Sequence, residues 1–203
     1  RSLIARQWPV DAVIGENGAF AFYEVDGVLK ELVHPEAVGS AERLAEVEKA
    51  VLERVPGSRV AKDQPYRRFD LAVDFREEEP DLGFEAARVI RQVFEEHGAV
   101  AKVSSIHVNG WFGNYNKLSM TELFVKQLWE ESLSDSRERY VFVGDSPNDA
   151  PMFAYFPHSI GVANVARFAD SISALPTYLA RGEGGLGFAE AAAALLSGLE
   201  AET

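Results

Sequence analysis

The sequence lacks cysteine, is short of basic residues and contains no long apolar run. The absence of cysteine excludes disulfides, thiolate metal sites and cysteine nucleophiles. Its 20 basic and 32 acidic residues give a net charge of −12, which argues against nucleic acid as a partner because phosphodiester backbones are repelled. No stretch approaches the roughly 18 apolar residues of a membrane span, and the start has no signal-peptide pattern. We therefore expect a cytoplasmic protein without a membrane partner.

The sequence has the length and composition of a globular protein of one or two domains. Its 203 residues are 47% apolar and 26% charged, enough to form a hydrophobic core. An apolar run at 10–14 predicts a buried strand that leads into a turn at 15–18. Asp26-Gly27, between apolar runs at 19–25 and 28–33, predicts a tight hairpin.

Residues 37–109 repeat the order helix, strand, strand. The two helices are expected from about Pro35 to Val55 and over Gly83 to His97, and the strands at 58–61, 68–75, 100–103 and 105–108. Two αββ units in succession indicate one compact α+β domain with a single sheet.

The region after residue 109 has a different pattern. Short apolar strands at 140–143, 159–162 and 177–180 alternate with helices, which indicates a parallel sheet covered on both faces. A helix is predicted over Ser119 to Glu131, with Ser119 as N-cap and Glu122 completing a capping box. Another helix is predicted around Ala166 to Ala174.

The most informative stretch is Gly144-Asp145-Ser146-Pro147-Asn148-Asp149. It follows a strand at the carboxyl edge, where parallel α/β sheets bind ligands. Asp145 and Asp149, with Asn148 between them, suit a hard oxygen-seeking cation such as Mg²⁺. The alternative is that Ser146 and Asp149 only cap a helix, and the sequence leaves both interpretations open.

Lys117 is a second candidate, because it lies in a polar turn that leads into a helix. A positive charge at a helix N-terminus is unfavourable for the helix dipole, so a phosphate or a carboxylate nucleophile would be a suitable partner. The alternative is an ordinary solvated surface lysine.

These motifs together resemble the haloacid dehalogenase (HAD) superfamily, specifically its Cof-type phosphatases, whose cap is built from two αββ units. Residues 14–19 resemble the strand-end Asn-Gly-Ala signature, and Lys117 falls where the family places a lysine after the cap. The 144–149 motif is similar to the acidic Gly-Asp-Ser-x-Asn-Asp motif, and 161–164 to the Gly-Val-Ala segment. The resemblance implies an α/β fold, with a Rossmann-like parallel-sheet core over 1–36 and 110–203 and an inserted α+β cap at 37–109.

The resemblance also implies a function, a Mg²⁺-dependent phosphatase acting on a small phosphorylated metabolite such as a phosphosugar or phosphoglycerate derivative. Asp145 would bind Mg²⁺ with support from Asp149. Lys117 would bind the transferring phosphoryl group and hold the nucleophile ionised, and Asn148 would hydrogen-bond the phosphate. The family reaction passes through an aspartyl-phosphate.

One departure from the family pattern is large. The family's nucleophile belongs to an Asp-x-Asp pair ahead of the Asn-Gly-Ala signature, and no such pair occurs in these 203 residues. We expect the chain as written to be inactive, and either its parent is longer by at least one βα unit or its sheet is rearranged. The alternatives are a non-catalytic ligand- or partner-binding protein and a phosphomutase of the same fold.

Substrate choice would come from the cap. Arg67 and Arg68 at a strand start, and His107 near the end of the cap, are the candidate specificity residues. The alternatives are a surface charge pair and a hydrogen-bonded histidine without a role in binding.

Overall fold

The computed structural model describes residues 2–104, 106–170 and 172–201. The chain divides into two compact units, Arg1–Phe124 and Val125–Thr203. The helices are α1 Ser2–Gln7, α2 Ala41–Arg54, α3 Gly83–Glu96, α4 Lys117–Leu128, α5 Leu133–Ser136, α6 Ala150–Tyr155 and α7 Gly184–Ala201. The strands are β1 Ala12–Gly15, β2 Phe20–Val25, β3 Val28–Val33, β4 Arg59–Val60, β5 Asp70–Asp74, β6 Val100–Val103, β7 His107–Trp111, β8 Val141–Gly144, β9 His158–Gly161 and β10 Tyr178–Leu179. Among the helices of the described ranges, none has the length and apolarity needed to cross a bilayer.

The first sheet of unit 1 is the antiparallel meander β1-β2-β3. The predicted hairpin is confirmed, since Val25 pairs with Val28 around Asp26-Gly27. Both turn residues have positive φ, 52° and 74°, as a two-residue turn of the right twist requires. The predicted strand before the first turn is also present, and it joins this antiparallel sheet through β2.

The second sheet of unit 1 is built from the two αββ repeats. Its order is β4-β5-β7-β6, with antiparallel pairing throughout, so the predicted single sheet is confirmed. The buried residues of helices α2 and α3 recur at helical spacing, so each helix has one apolar face. These faces pack against the second sheet. The buried core that results contains Leu44, Val47, Val51, Leu71, Val73, Ile90, Val93, Phe94 and Val108.

Unit 2 contains the parallel sheet β10-β9-β8. The pairs Val141–His158 and Gly144–Gly161 give the register of its two longer strands. The prediction of parallel strands in this region is confirmed. The fold is therefore mixed α/β, with antiparallel sheets in one unit and a parallel sheet in the other.

Several predicted boundaries are wrong for local reasons. Helix α4 begins at Lys117, because Asn116 acts as the cap: its Oδ1 accepts from the Ser119 N–H at 3.1 Å, and the Ser119 Oγ accepts from the Asn116 N–H at 3.0 Å. The helix predicted from Pro35 begins at Ala41, after a 3₁₀ turn and a glycine, Gly39, with φ +82°.

Two further predicted elements also differ from the structure. The helix predicted at 166–174 is a 3₁₀ segment over Ala163–Phe168, and Ser171 lies outside the described residues. The strand predicted at 105–108 is β7, His107–Trp111, and Ser105 also lies outside the described residues.

Candidate functional site

The loop after β8 is organised by a buried carboxylate. Asp149 is 3% exposed, and its Oδ2 accepts from the Asp145 N–H at 3.0 Å and the Ser146 N–H at 3.3 Å. Ser146 and Asp149 form a capping box around the turn that leads into α6. The capping geometry that the sequence left open is therefore present. It turns the side chains of Asp145 and Asn148 outward, and both residues are exposed.

Gly144 is needed for this loop to close. A Cβ at this position would lie 2.8 Å from the Asp149 Oδ2 and 2.8 Å from the Phe153 ring. Real Cβ atoms are not found that close to other atoms, so any larger residue would push the buried carboxylate out of place. Packing around this loop therefore explains why the motif has glycine at position 144.

The same loop limits how a magnesium ion could be held. Mg²⁺ is usually bound through one or two carboxylates, with water and substrate phosphate completing its shell. The Asp145 carboxylate is exposed, whereas the Asp149 Oδ2 already accepts backbone N–H groups. Over residues 2–104, 106–170 and 172–201, no cluster of three or more acidic or histidine side chains could hold a metal. Asp145 is therefore the side chain of this loop that would be available as a ligand, and Asp149 maintains the shape of the loop.

Lys117 is the first residue of α4 and is exposed. The backbone beside it lies directly against the Asn-Gly-Ala signature. A Cβ on Gly18 would be 2.2 Å from the Asn116 carbonyl oxygen and 2.9 Å from the Lys117 nitrogen, and Gly18 has φ +105°. Only glycine permits this approach at this dihedral. The signature and the lysine, which the sequence related only by their order, are therefore in contact within unit 1.

The same turn also holds the start of β5. The Glu16 Oε2 accepts from the Arg68 N–H at 2.9 Å and the Phe69 N–H at 2.6 Å. The Asn17 Nδ2 donates to the Asp70 Oδ2 at 2.9 Å. Sequence reasoning missed Glu16 and Asp70, because a turn glutamate and a strand aspartate are ordinarily exposed and neither pattern signals burial.

The two candidate arginines have different environments. Arg67 is largely covered, with 14% of its side chain exposed, and it pairs with Asp63 at 2.9 Å and Asp70 at 3.1 Å. Burial alone would lower the pKa of Arg67, but the hydrogen bonds and charges of these two carboxylates raise it. Arg68 pairs with Glu31 at the surface.

Arg68 also lines a cavity in unit 1. Its guanidinium lies 4.6 Å from the centre of the Phe69 ring, a cation–π distance. The cavity has a volume of about 450 Å³, and its lining combines aromatic and charged residues with one serine: Ser2, Glu16, Phe20, Phe22, Asp63, Tyr66 and Arg68. Arg68 is thus the candidate specificity residue that faces an open space.

His107 lies elsewhere on the second sheet. Its Nε2 is 2.8 Å from the Glu77 Oε2, and it pairs across the sheet with Asp74, the last residue of β5. Arg68 precedes the first residue of that strand. Five residues of strand span about 13 Å, so the structure does not bring His107 to the arginines.

The candidate residues are divided between the two units. Lys117, the arginines and His107 belong to unit 1, and the 144–149 loop belongs to unit 2.

No protein-family model and no curated protein matches the chain, but solved structures do. A Thermoplasma acidophilum protein matches with a TM-score of 0.63 and 19% identity, over 91% of this chain and 72% of that one. The sucrose-phosphatase of Synechocystis sp., solved with sucrose and phosphate, gives 0.58 and 16% over 87% and 70%.

A sugar phosphatase of HAD subclass IIB gives a TM-score of 0.57 and 11% identity, over 84% of this chain and 70% of that one. Sequence identities this low establish similarity of fold and nothing more specific. The family resemblance predicted from the motifs is confirmed at that level: over most of its length, this chain has the fold of HAD subclass IIB sugar phosphatases.

Proposed function

We propose that this chain takes part in the Mg²⁺-dependent hydrolysis of a small phosphorylated metabolite, of the phosphosugar or phosphoglycerate class. The observation that carries the proposal is the 144–149 loop, in which a buried Asp149 shapes a turn that leaves Asp145 and Asn148 exposed at the carboxyl end of β8. Parallel α/β sheets bind their ligands at that edge. The family reaction uses an aspartyl-phosphate, and no Asp-x-Asp pair that could supply its nucleophile occurs in these 203 residues.

Each residue has a role that its chemistry suits. Asp145 binds Mg²⁺, and Asp149 supports that site from beside it. When bound, the ion neutralises charge on the phosphoryl oxygens. Asn148 donates a hydrogen bond to the phosphate. Lys117 brings a positive charge to the transferring phosphoryl group, a step in which positioning and charge neutralisation supply most of the rate.

Residues 37–109 act as a cap that sets substrate choice. In support, they form a separate antiparallel sheet with its own core, and the two connections to the rest of unit 1 are braced together. The Glu36 Oε2 accepts from the Asn114 N–H at 2.7 Å, and a Cβ on Gly113 would lie 2.6 Å from the Glu36 carbonyl. Arg68 contacts the leaving group, with Arg67 and His107 as further specificity candidates.

A second candidate function is non-catalytic binding of a phosphorylated ligand. The observation that favours it is the absence of any Asp-x-Asp pair from the 203 residues. Both candidates require phosphate binding, and they are separated by whether restoring a segment with an Asp-x-Asp pair brings Mg²⁺-dependent hydrolysis.

The test is a paired assay of turnover and binding. We expect no Mg²⁺-dependent hydrolysis of p-nitrophenyl phosphate by the chain as written. Calorimetry should nevertheless detect Mg²⁺ binding that Asp145→Asn weakens at least about tenfold, while Asp170→Asn, another exposed aspartate of unit 2, leaves it unchanged. Equal binding by both variants would refute the metal role of Asp145. Turnover that Asp145→Asn abolishes would refute the claim that the nucleophile is absent.

A further inference from the structure

The Glu16-Asn17-Gly18 turn contacts two segments that the proposed function uses, the start of β5 and the start of α4, all within unit 1. We propose that Glu16 and Asn17 are positioning residues that couple the placement of Lys117 to the Arg68 side of the cavity. The inference rests on the proposed function in one respect, because it takes Lys117 as the phosphate-binding group.

The first link joins the turn to β5 through a buried carboxylate. Asp70 is 1% exposed. Both of its oxygens accept from the Arg67 Nη1 at 3.1 Å, and its Oδ2 also accepts from the Asn17 amide. Arg67, which Asp70 shares with Asp63, supplies the positive charge here, and the neutral Asn17 amide adds a hydrogen bond without charge. Its effect is to fix the turn relative to the first residue of the strand.

The second link reaches the residue that lines the cavity. Glu16 is 5% exposed and holds the Arg68 and Phe69 N–H groups with one oxygen. Arg68 is one of the residues that line the cavity. A ligand that moves Arg68 therefore pulls on a backbone amide that Glu16 fixes.

The third link joins the turn to α4. Gly18 leaves no gap beside the Asn116 carbonyl, and packed backbones transmit displacement because the interior has low compressibility. A shift of Asn17 must therefore reach the Asn116–Lys117 backbone.

The backbone of the turn supports a role beyond chain reversal. Glu16, Asn17 and Gly18 have φ of 44°, 59° and 105°. A non-glycine residue is strained in the left-handed region, and glycine at position 16 would avoid that strain. Strain of this kind is retained where the side chain is needed in place, and the Glu16 carboxylate is the group that holds the start of β5.

The experiment uses the full 203-residue chain, labelled with ¹⁵N and titrated with inorganic phosphate and Mg²⁺. Phosphate should shift the amide signals of Lys117 and Leu118, and through the turn those of Arg68 and Phe69. Asn17→Ala should weaken phosphate binding roughly threefold to tenfold and abolish the response at 68–69. If that response survives in Asn17→Ala, phosphate reaches Arg68 directly and the coupling is refuted.

Hydrogen exchange tests the coupling even if the chain binds no phosphate. A lack of phosphate binding would refute only the proposed role of Lys117. Asn17→Ala should speed exchange of both the Phe69 amide, held by Glu16, and the Met120 amide, held by the Asn116 carbonyl, by at least about threefold. The matched control is Asn114→Ala, an exposed asparagine of the same unit, which should change neither.

Exchanging the amide and the carboxylate between positions 17 and 70 distinguishes a positioning role from a general loss of stability. Asn17→Asp places two carboxylates together and should speed exchange at both amides. Adding Asp70→Asn restores a donor–acceptor pair in the reverse sense and should recover at least half of the loss. Faster exchange at Phe69 with an unchanged Met120, or no recovery in the double variant, would overturn the proposal.

Discussion

The 144–149 loop and the 16–18 turn are both polar turns at the end of a strand, but they are held in opposite ways. Asp149 accepts hydrogen bonds from residues three and four positions away. Glu16 and Asn17 bond to residues 52 and 53 positions away. These bonds of the first loop lie within its own six residues. The second is a junction whose shape depends on the folded unit around it.

This difference has a consequence for substitution. A local loop can be damaged without unfolding its surroundings, because its hydrogen bonds close within one turn. A junction transmits damage to each segment that it joins, here the meander, the second sheet and α4. We therefore expect the largest losses of stability at the junction.

Gly18→Ala should have the largest effect. The new methyl group overlaps the Asn116 carbonyl at 2.2 Å, and the residue has φ +105°, so steric and conformational costs add to about 3 kcal/mol or more. The control is Gly27→Ala, where φ is +74° but nothing lies within 4 Å, and about 1 kcal/mol is expected. Urea unfolding followed by the amide signals of unit 1 measures both. Similar losses would show that Gly18 is an ordinary turn glycine.

Asp149→Ala should have the next largest effect, confined to its own unit. It leaves the part-buried Asp145 and Ser146 N–H groups without their acceptor, which costs about 1–2 kcal/mol. Asp145→Ala removes an exposed carboxylate and should change the free energy of unfolding by less than about 0.5 kcal/mol. Amide signals of unit 2 during urea unfolding give both values. A stable Asp149→Ala would mean that the loop is not organised by this carboxylate.

The same contrast explains what the sequence could predict. The hairpin at Asp26-Gly27, the two αββ repeats and the loop after β8 follow from residues close together in the chain, so pattern and turn chemistry were sufficient. The start of α4 was wrong by two residues, because Ser119 and Asn116 are both good caps and the sequence does not rank them. Its end, predicted at Glu131, is Leu128. The family motifs were recognisable for the same reason, since each is a short contiguous stretch.

The junction could not be predicted, because its bonds join residues far apart in the chain. Nothing near Glu16 indicates that its carboxylate is buried beneath the start of β5, and nothing near Asp70 indicates that Asn17 and Arg67 share it. Likewise, the sequence gives no basis for distinguishing Arg67 from its neighbour Arg68. In the fold, Arg67 is largely buried, whereas Arg68 lines a cavity.

Tyr115→Phe tests the edge of the junction and should have a smaller effect. Burial raises the pKa of the Tyr115 hydroxyl, and the charges of Asp70 and Glu16 raise it further. The hydroxyl donates a long bond, 3.4 Å, to the Phe69 carbonyl, so its loss should cost at most about 1 kcal/mol. In an alkaline titration at 295 nm, the substitution should remove signal from the highest-pH part of the curve. If the substitution instead removed signal at the pH where a free tyrosine titrates, the Tyr115 hydroxyl would not be buried beside Asp70 and Glu16.

The smallest effect expected is a pH dependence at His34, in the connection that Glu36 braces. Burial lowers the pKa of His34, and the Glu36 charge partly opposes this. Between the lowered pKa and the ordinary value of about 6.5, the native chain binds fewer protons there than the unfolded chain. The free energy of unfolding therefore falls as pH falls through that window.

His34→Gln should lose less stability than the wild type between about pH 7 and about pH 5. Glu36→Gln keeps an acceptor for the Asn114 N–H but removes the opposing charge, so it should lose more. Parallel curves for all three chains would show that His34 contributes nothing to acid sensitivity.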